Sequence, residues 1–86
     1  MIKLDKLLKA TANKRRLAIL KYLKTAREAT VGDIAESIKL SFKATSKHLK
    51  ILDDVDIVEK EQRSKQVYYC LSGNQNSLVK HLLSIL

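Results

Sequence analysis

The sequence predicts a mainly α-helical fold, with about five helices and one small two-stranded β-hairpin. Apolar residues recur with the 3.6-residue period of a helix from the N-terminus to about residue 55. Between residues 57 and 71 the period changes to two, and Val, Ile and Tyr are enriched. Helical spacing returns from about residue 75 to the end. The 86 residues contain no proline and no linker-like segment, so we expect residues 1–86 to form one domain.

The first two helices are predicted over residues 2–10 and from residue 14 onward. Ile2 begins the apolar pattern of the first helix. Asn13 is a residue type that often caps a helix, so it predicts the start of the second. The buried face of this second helix is expected to consist of Leu17, Ile19, Leu20 and Leu23.

The third and fourth helices are predicted from two further capping residues. Thr30, followed three residues later by Asp33, resembles a capping box at the start of the third helix. Ser41 caps the fourth after the short turn 39–41. The apolar faces that should point to the core are formed by Val31, Ile34, Ala35 and Ile38 in the third helix and by Thr45, Leu49, Leu52 and Val55 in the fourth.

The outward side of the fourth helix is the most informative feature of the chain. It carries small polar and cationic side chains, with one aromatic residue at its start: Phe42, Lys43, Ser46, Lys47 and Lys50. Two short helices joined by a tight turn make the first a brace and the second a probe. A probe helix with such side chains fits the major groove of DNA.

The hairpin is predicted from strands at 57–61 and 66–71. The residues between them, 62–65, are polar and basic, and they lack the Asn-Gly or Asp-Gly of a tight turn, so we expect a longer, mobile tip. Lys39 and Asp56 stand at helix ends where glycine is common, and each should need backbone compensation.

Four helices, a hairpin and a last helix, in that order, are the elements of a winged helix-turn-helix. Several segments are also similar to the ArsR-type repressors, over roughly residues 7–72. These segments are LKA (8–10) with Asn13, RLAIL (16–20), VGDIA (31–35), LS (40–41), SKHLKIL (46–52) and VYYCL (67–71). The resemblance implies a homodimeric bacterial or archaeal DNA-binding regulator. It implies that the helix capped by Ser41 lies in the major groove, that the hairpin, or wing, reaches the minor groove or backbone, and that the terminal helices form the dimer interface.

The charge distribution agrees with a polyanionic partner. The net charge is +8, and residues 1–30 hold nine Lys or Arg against two acids. We expect base contacts from Lys43, Ser46 and Lys47, with Phe42 either contacting a thymine methyl or packing beside the wing. Phosphate contacts are expected from Lys50, Lys14, Arg15, Arg63 and Lys65. His48 stands where the family also has histidine, and it either contacts a phosphate or packs at the helix edge.

The terminal helices carry more apolar side chains than one small core can cover, which indicates a subunit interface. The alternative is that the two helices cover each other within a monomer. The residues expected at the dimer interface are Leu4, Leu7, Leu8, Leu78, Leu82, Leu83 and Leu86.

Metal sensing and catalysis are not expected. Many ArsR-type proteins sense metals, but the segment 28–33 lacks the cysteines of the usual site, and His81 has no acidic neighbour on the last helix. The sequence shows no catalytic triad, paired acids or phosphate-binding glycine loop, so neither a cofactor nor an enzyme activity is expected. Cys70 cannot form an internal disulfide. We interpret it as a structural thiol, with a redox switch through an intersubunit disulfide as the alternative.

These observations together predict a cytoplasmic transcriptional repressor that binds an inverted repeat in double-stranded DNA as a homodimer. The host is expected to be prokaryotic, with a viral or plasmid origin also open. No apolar run is long enough to span a membrane, and no membrane partner is expected. Two alternatives remain: a winged-helix module that binds an acidic protein, and a non-specific architectural DNA binder.

Overall fold

The computed structural model describes residues 3–73, 75 and 77–86. Within them the chain forms five helices and a three-stranded antiparallel sheet, which confirms the predicted winged helix-turn-helix. Ile2 and the residue at position 76 of the predicted last helix lie outside the described residues. The elements are α1 (Leu4–Thr11), α2 (Lys14–Ala26), β1 (Glu28–Thr30), α3 (Val31–Ile38), α4 (Phe42–Asp54), β2 (Val58–Arg63), β3 (Gln66–Leu71) and α5 (Ser77–Ser84).

The three predicted N-caps are confirmed, because each side chain binds the free N–H groups of the helix that follows. The Asn13 side-chain oxygen accepts hydrogen bonds from the backbone N–H groups of residues 15 and 16, at 2.9 and 3.1 Å. Thr30 and Asp33 form a reciprocal capping box, with bonds of 3.2 and 3.4 Å. Ser41 Oγ accepts from the Ala44 N–H at 3.1 Å. The turn between α3 and α4 is therefore held by Ser41 at the point where α4 begins.

Two helix ends use the left-handed conformation without glycine, as the sequence suggested. Lys39 has a φ of 57° and Asp56 a φ of 59°. After each, the next backbone N–H reaches back five residues: Leu40 N–H bonds to the Ala35 carbonyl at 3.0 Å, and Ile57 N–H bonds to the Leu52 carbonyl at 3.1 Å. These are the bonds of a Schellman helix end, and they supply the expected compensation.

The hairpin differs from its prediction. The ladder continues to the pair Arg63–Gln66, so only Ser64 and Lys65 form the turn, and the predicted longer loop at 62–65 is wrong. Ser64 adopts a φ of 56°, which supplies the left-handed residue that a two-residue turn requires. A third strand, β1, was not predicted. It pairs with β3, placing Ala29 opposite Tyr69, and gives the sheet the order β1-β3-β2.

The core lies between the helices and one face of the sheet. Leu17, expected on the buried face of α2, is half-buried, and so are Val31 and Ile38 of α3. The fully covered aliphatic side chains come from α2, α3, α4, β2 and the segment that leads into β2: Ile19, Leu20, Leu23, Ile34, Leu49, Leu52, Ile57 and Val58. In the part of the chain that the structure describes, no helix has the length and apolarity needed to cross a membrane.

Candidate nucleic-acid interface

Helix α4 has one buried side and one open side. Thr45, Leu49 and Leu52 are fully buried, which fixes the helix against the core. On the open side Lys43 and Lys47 are exposed one turn apart, and so is Lys50 in the next turn. Phe42 is 63% exposed and Ser46, one turn along, is half-buried. Lys43 and Lys47, two of the residues predicted to contact bases, therefore lie on the side of α4 that faces away from the core, and Ser46 lies at its edge.

The wing sheet has two chemically different faces because side chains alternate along a strand. The buried Val58 places Lys60 and Gln62 on the inner face of β2, the face that is turned toward α4. The same alternation leaves Glu59, Glu61 and Arg63 on the outer face. The inner face is therefore basic, whereas the outer face carries two carboxylates beside one arginine.

An open groove of about 790 Å³ separates the inner face of the wing from the first residue of α4. Lys60 and Lys65 line it on the wing side, and Phe42 lines it on the helix side. Further lining residues are Thr30, Val31, Gly32, Gln62, Gln66, Val67 and Tyr69. Lys65, which was predicted to contact phosphate, therefore lies in this groove, and Lys60 lies there as well. Sequence reasoning missed Lys60, although its even spacing from Val58 along the strand could have shown which face it occupies.

Arg63 was predicted to contact phosphate, and the structure places it elsewhere. Its two terminal nitrogens donate to the two carboxylate oxygens of Glu28 at 2.9 and 2.6 Å, and its Nε donates to Glu61 at 2.9 Å. Its guanidinium carbon also lies 4.8 Å from the centre of the Tyr68 ring. The hydrogen bond from Arg63 holds the pKa of Glu28 below its usual value. These donors are used on the outer face in this structure, so Arg63 would have to leave Glu28 to contact a phosphate, and its predicted phosphate contact stays a prediction.

The start of α2 lies beside α4 and adds positive charge to it. Lys14 and Arg15 are exposed there. His48 is half-buried; burial lowers the pKa of its imidazole, and the charges of Arg16 and Arg15 lower it further. Its Nδ1 is buried and has no hydrogen-bond partner among the residues that the structure describes. His48 thus packs at the helix edge and is kept neutral, which favours the packing alternative over a phosphate contact.

Lys50 forms a 3.4 Å ion pair with Asp54, one turn along α4. Both side chains are well exposed, so the pair contributes little to stability and a phosphate can replace the carboxylate. Lys50 accordingly stays a candidate for a backbone contact.

The terminal helices each pack against α2 and leave apolar side chains open. Leu4 is 60% exposed and Leu8 48%, on α1, and Leu78 is 44% exposed on α5. Leu7 differs, because it is only 3% exposed and belongs to the core of its own chain, so its assignment to the dimer interface is corrected. Further along the C-terminal segment Leu82, Leu83 and Leu86 are half-buried. The two helices therefore do not cover each other fully within one chain.

Comparison with known proteins decides the family. The model of the bacterial regulatory protein family arsR matches residues 13–60. The chain belongs to the ArsR family. It is 38% identical over 80 residues to the transcriptional activator HlyU of Vibrio cholerae, covering 93% of this chain and 70% of that protein. It is 32% identical over 69 residues to the transcriptional repressor SdpR of Bacillus subtilis, covering 80% of this chain and 76% of that one.

Solved structures of similar proteins share the fold. Reduced HlyU from Vibrio cholerae superposes with a TM-score of 0.81 at 36% identity, covering 95% of this chain and 82% of that one. A homodimeric winged helix-turn-helix DNA-binding domain from Mycobacterium bovis superposes with a TM-score of 0.81 at 30% identity, covering 94% and 71%. This ArsR-family chain is thus a DNA-binding transcriptional regulator, and the prediction that it is not an enzyme is confirmed by its family.

The outer face of the wing holds the single cysteine of this ArsR-family chain. Cys70 lies in β3 directly opposite Glu28 on one neighbouring strand and Glu59 on the other. Burial raises the pKa of the Cys70 thiol, and the charges of Glu59, Glu28 and Glu61 raise it further. In the described residues no group of three or more His, Cys, Asp or Glu side chains is arranged to hold a metal ion.

Proposed function

We propose that this chain is a homodimeric repressor that binds specific sites in double-stranded DNA through the outward side of α4. One observation carries the proposal. The side of α4 that bears Lys43 and Lys47 is exposed, with the half-buried Ser46 at its edge, while Thr45 and Leu49 are fully buried. A helix anchored in this way can enter the major groove without losing contact with its own core.

The electrostatic part of the proposed interface surrounds this helix. Exposed cations stand on the wing at Lys60 and Lys65, at the start of α2 at Lys14 and Arg15, and on α4 at Lys50. Each can neutralise a phosphate, and a net charge of +8 favours association with DNA in general. Phosphate contacts position the protein, whereas the residues on the open side of α4 select the sequence.

The proposed second copy covers the open apolar side chains of the terminal helices. Leu4 and Leu8 on α1 and Leu78 on α5 are the exposed leucines that a partner would bury. The homodimeric state of the similar domain from Mycobacterium bovis supports this arrangement. A two-fold dimer presents two α4 helices, so the expected target is an inverted repeat whose half-sites lie about 34 Å apart.

Repression is proposed because it requires only that the dimer occupy a site overlapping a promoter. Activation requires a further contact or the displacement of another protein. One of the two named relatives is a repressor and the other an activator. A reporter assay therefore tests whether this protein represses or activates transcription. A protein that binds chromosomal sites acts in the bacterial cytoplasm, where the DNA is.

Selection of bound duplexes from a random DNA pool, followed by footprinting at about 150 mM salt, tests the proposal. We expect an enriched inverted repeat and a protected site of about two helical turns. Equal affinity for enriched and random DNA would show a non-specific architectural binder instead. No binding to either, with retention on an acidic protein partner, would show a protein-interaction module.

A further inference from the structure

Phe42 stands out among the residues on the open side of α4. It is the first residue of the helix, and 63% of its side chain is exposed. This exposure is unfavourable, because burying an aromatic ring away from water lowers the free energy. Its backbone position is fixed, because Ser41 caps the helix through the 3.1 Å bond to Ala44 N–H. The ring is therefore held at the edge of the open groove rather than packed into the core.

The position of Phe42 determines what it can meet on DNA. Residues at the N-terminal end of a probe helix contact base edges in the major groove. Base faces are stacked within a duplex, so a ring in the groove meets edges only. The one apolar group on these edges is the C5-methyl of thymine.

The groove beside Phe42 is suited to one DNA strand. Lys60 and Lys65 line its wing side, where they can hold phosphates, and Phe42 lines its helix side. Ser46 lies one turn further along α4, on the same side as Phe42, where it can contact the adjacent base pair. The ring thus lies between the phosphate-binding wing and the polar residues of the probe helix.

We propose that Phe42 packs on the 5-methyl group of a thymine, so that the protein selects thymine at one defined position in each half-site. This inference rests on the proposed function, because it assumes that α4 enters the major groove. It excludes the alternative in which the ring closes against the wing when DNA binds.

The test replaces the thymines of the selected duplex one at a time, in both half-sites, with deoxyuridine. This exchange removes only the methyl group and keeps the hydrogen-bonding pattern. For the wild-type protein, one position should show a loss of affinity of about fourfold per half-site, the value for one buried methyl group. Fluorescence anisotropy with a labelled duplex measures the change.

Variants of Phe42 assign the effect to its side chain. Phe42→Ala should bind the thymine and deoxyuridine duplexes equally, whereas Phe42→Leu, which keeps an apolar contact, should retain part of the difference. Ile51→Ala is the matched control, because Ile51 is also an exposed apolar residue of α4 but lies toward its other end. It should preserve the full difference.

Two outcomes distinguish a failure of the thymine contact from a failure of the proposed function. If a sequence is enriched but no position responds to deoxyuridine, or if Phe42→Ala keeps the wild-type response, the thymine contact is overturned and specific binding stands. If no sequence is enriched, the proposed function itself fails, and the inference fails with it.

Discussion

Arg63 donates two hydrogen bonds to Glu28, at 2.9 and 2.6 Å, and thereby links the end of the wing to a strand 35 residues earlier in the chain. The bond lies on the outer face of the sheet, away from the groove beside α4. Arg63 therefore ties the end of the wing to β1 through its side chain, while Lys60 and Lys65 line the groove on the inner side and are the wing residues we expect to bind phosphate.

This division of roles predicts different salt dependences for three variants. If each subunit contacts about four phosphates, log affinity should fall with log salt at a slope near −7. Lys60→Ala and Lys65→Ala should each reduce the slope by about 2 per dimer, since each removes one contact from both subunits. Arg63→Ala should leave the slope unchanged and lower affinity at every salt concentration, because the end of the wing loses its side-chain bonds to Glu28 of β1, although β3 stays paired with β1. A slope reduced by Arg63→Ala would show that the arginine leaves Glu28 to bind DNA.

Leu7 and Leu8 are adjacent in sequence, but one is buried and the other exposed. Variants at the two positions therefore form a matched pair that tests the proposed dimer interface. Leu7 is 3% exposed and Leu8 48%. Leu8→Glu should convert the dimer to a folded monomer, as measured by sedimentation, because it places a charge in the proposed interface. Leu7→Ala should instead lower the free energy of unfolding by roughly 2–4 kcal/mol, since it leaves a cavity in the core. A dimer that survives Leu8→Glu would place the subunit interface elsewhere.

His48 predicts a loss of stability in mild acid. Burial, followed by the charges of Arg16 and Arg15, lowers the pKa of His48 below its ordinary 6.5. The unfolded chain therefore binds a proton more readily than the folded one. The contribution of neutral His48 to stability is present above pH 6.5 and is lost as the pH falls through the folded-state pKa.

The measurement is the thermal midpoint from about pH 7.5 to about pH 5, where the unfolded imidazole becomes charged. His48→Gln should flatten the decline over this range, while His81→Gln, at the other and exposed histidine, should retain it. An unchanged decline in His48→Gln would mean that another group causes the acid sensitivity.

Cys70 should be a slow nucleophile. Burial and the neighbouring carboxylates of Glu59 and Glu28 raise the pKa of its thiol, and the thiolate is the reactive form. Alkylation at neutral pH should be slower than that of a free thiol such as glutathione, and mild oxidant should produce no intersubunit disulfide on a non-reducing gel. Cys70→Ser should bind DNA with the same affinity as the wild type, both with and without the oxidant. A rapid, oxidant-dependent loss of binding that Cys70→Ser prevents would support the redox alternative.

The features that sequence reasoning predicted correctly depend on neighbouring residues. Asn13, Thr30 and Ser41 cap their helices through bonds within two or three residues, so their roles are readable from residue type and spacing. The outward side of α4 follows in the same way from the period of its buried residues. The left-handed helix ends at Lys39 and Asp56 were expected because the pattern stops there without a glycine.

The errors depend on distant contacts or on short segments. β1 has three residues and only Ala29 is buried, so it carries no usable alternation; its strand exists because β3 pairs with it. The partner of Arg63 lies 35 residues away and cannot be found from local charge. Ser64 supplies the left-handed turn residue that asparagine or glycine usually provides. Because the usual residue types are absent, the sequence predicted a longer loop in place of the two-residue turn. Leu7 and Leu8 are identical residues side by side, and only the packing of Leu7 into the core distinguishes them.

The central claim is that the outward side of α4 reads base edges. Its most direct test is the ratio of affinities for the selected duplex and a shuffled one, measured at about 150 mM salt for the wild type and Lys47→Ala. Lys21→Ala, an exposed cation of α2 with the same charge change, is the control. We predict that Lys47→Ala reduces the ratio by roughly 5- to 150-fold, equivalent to about 1–3 kcal/mol, whereas Lys21→Ala leaves the ratio unchanged. A Lys47→Ala variant that weakens both duplexes equally and preserves the ratio would contradict the claim.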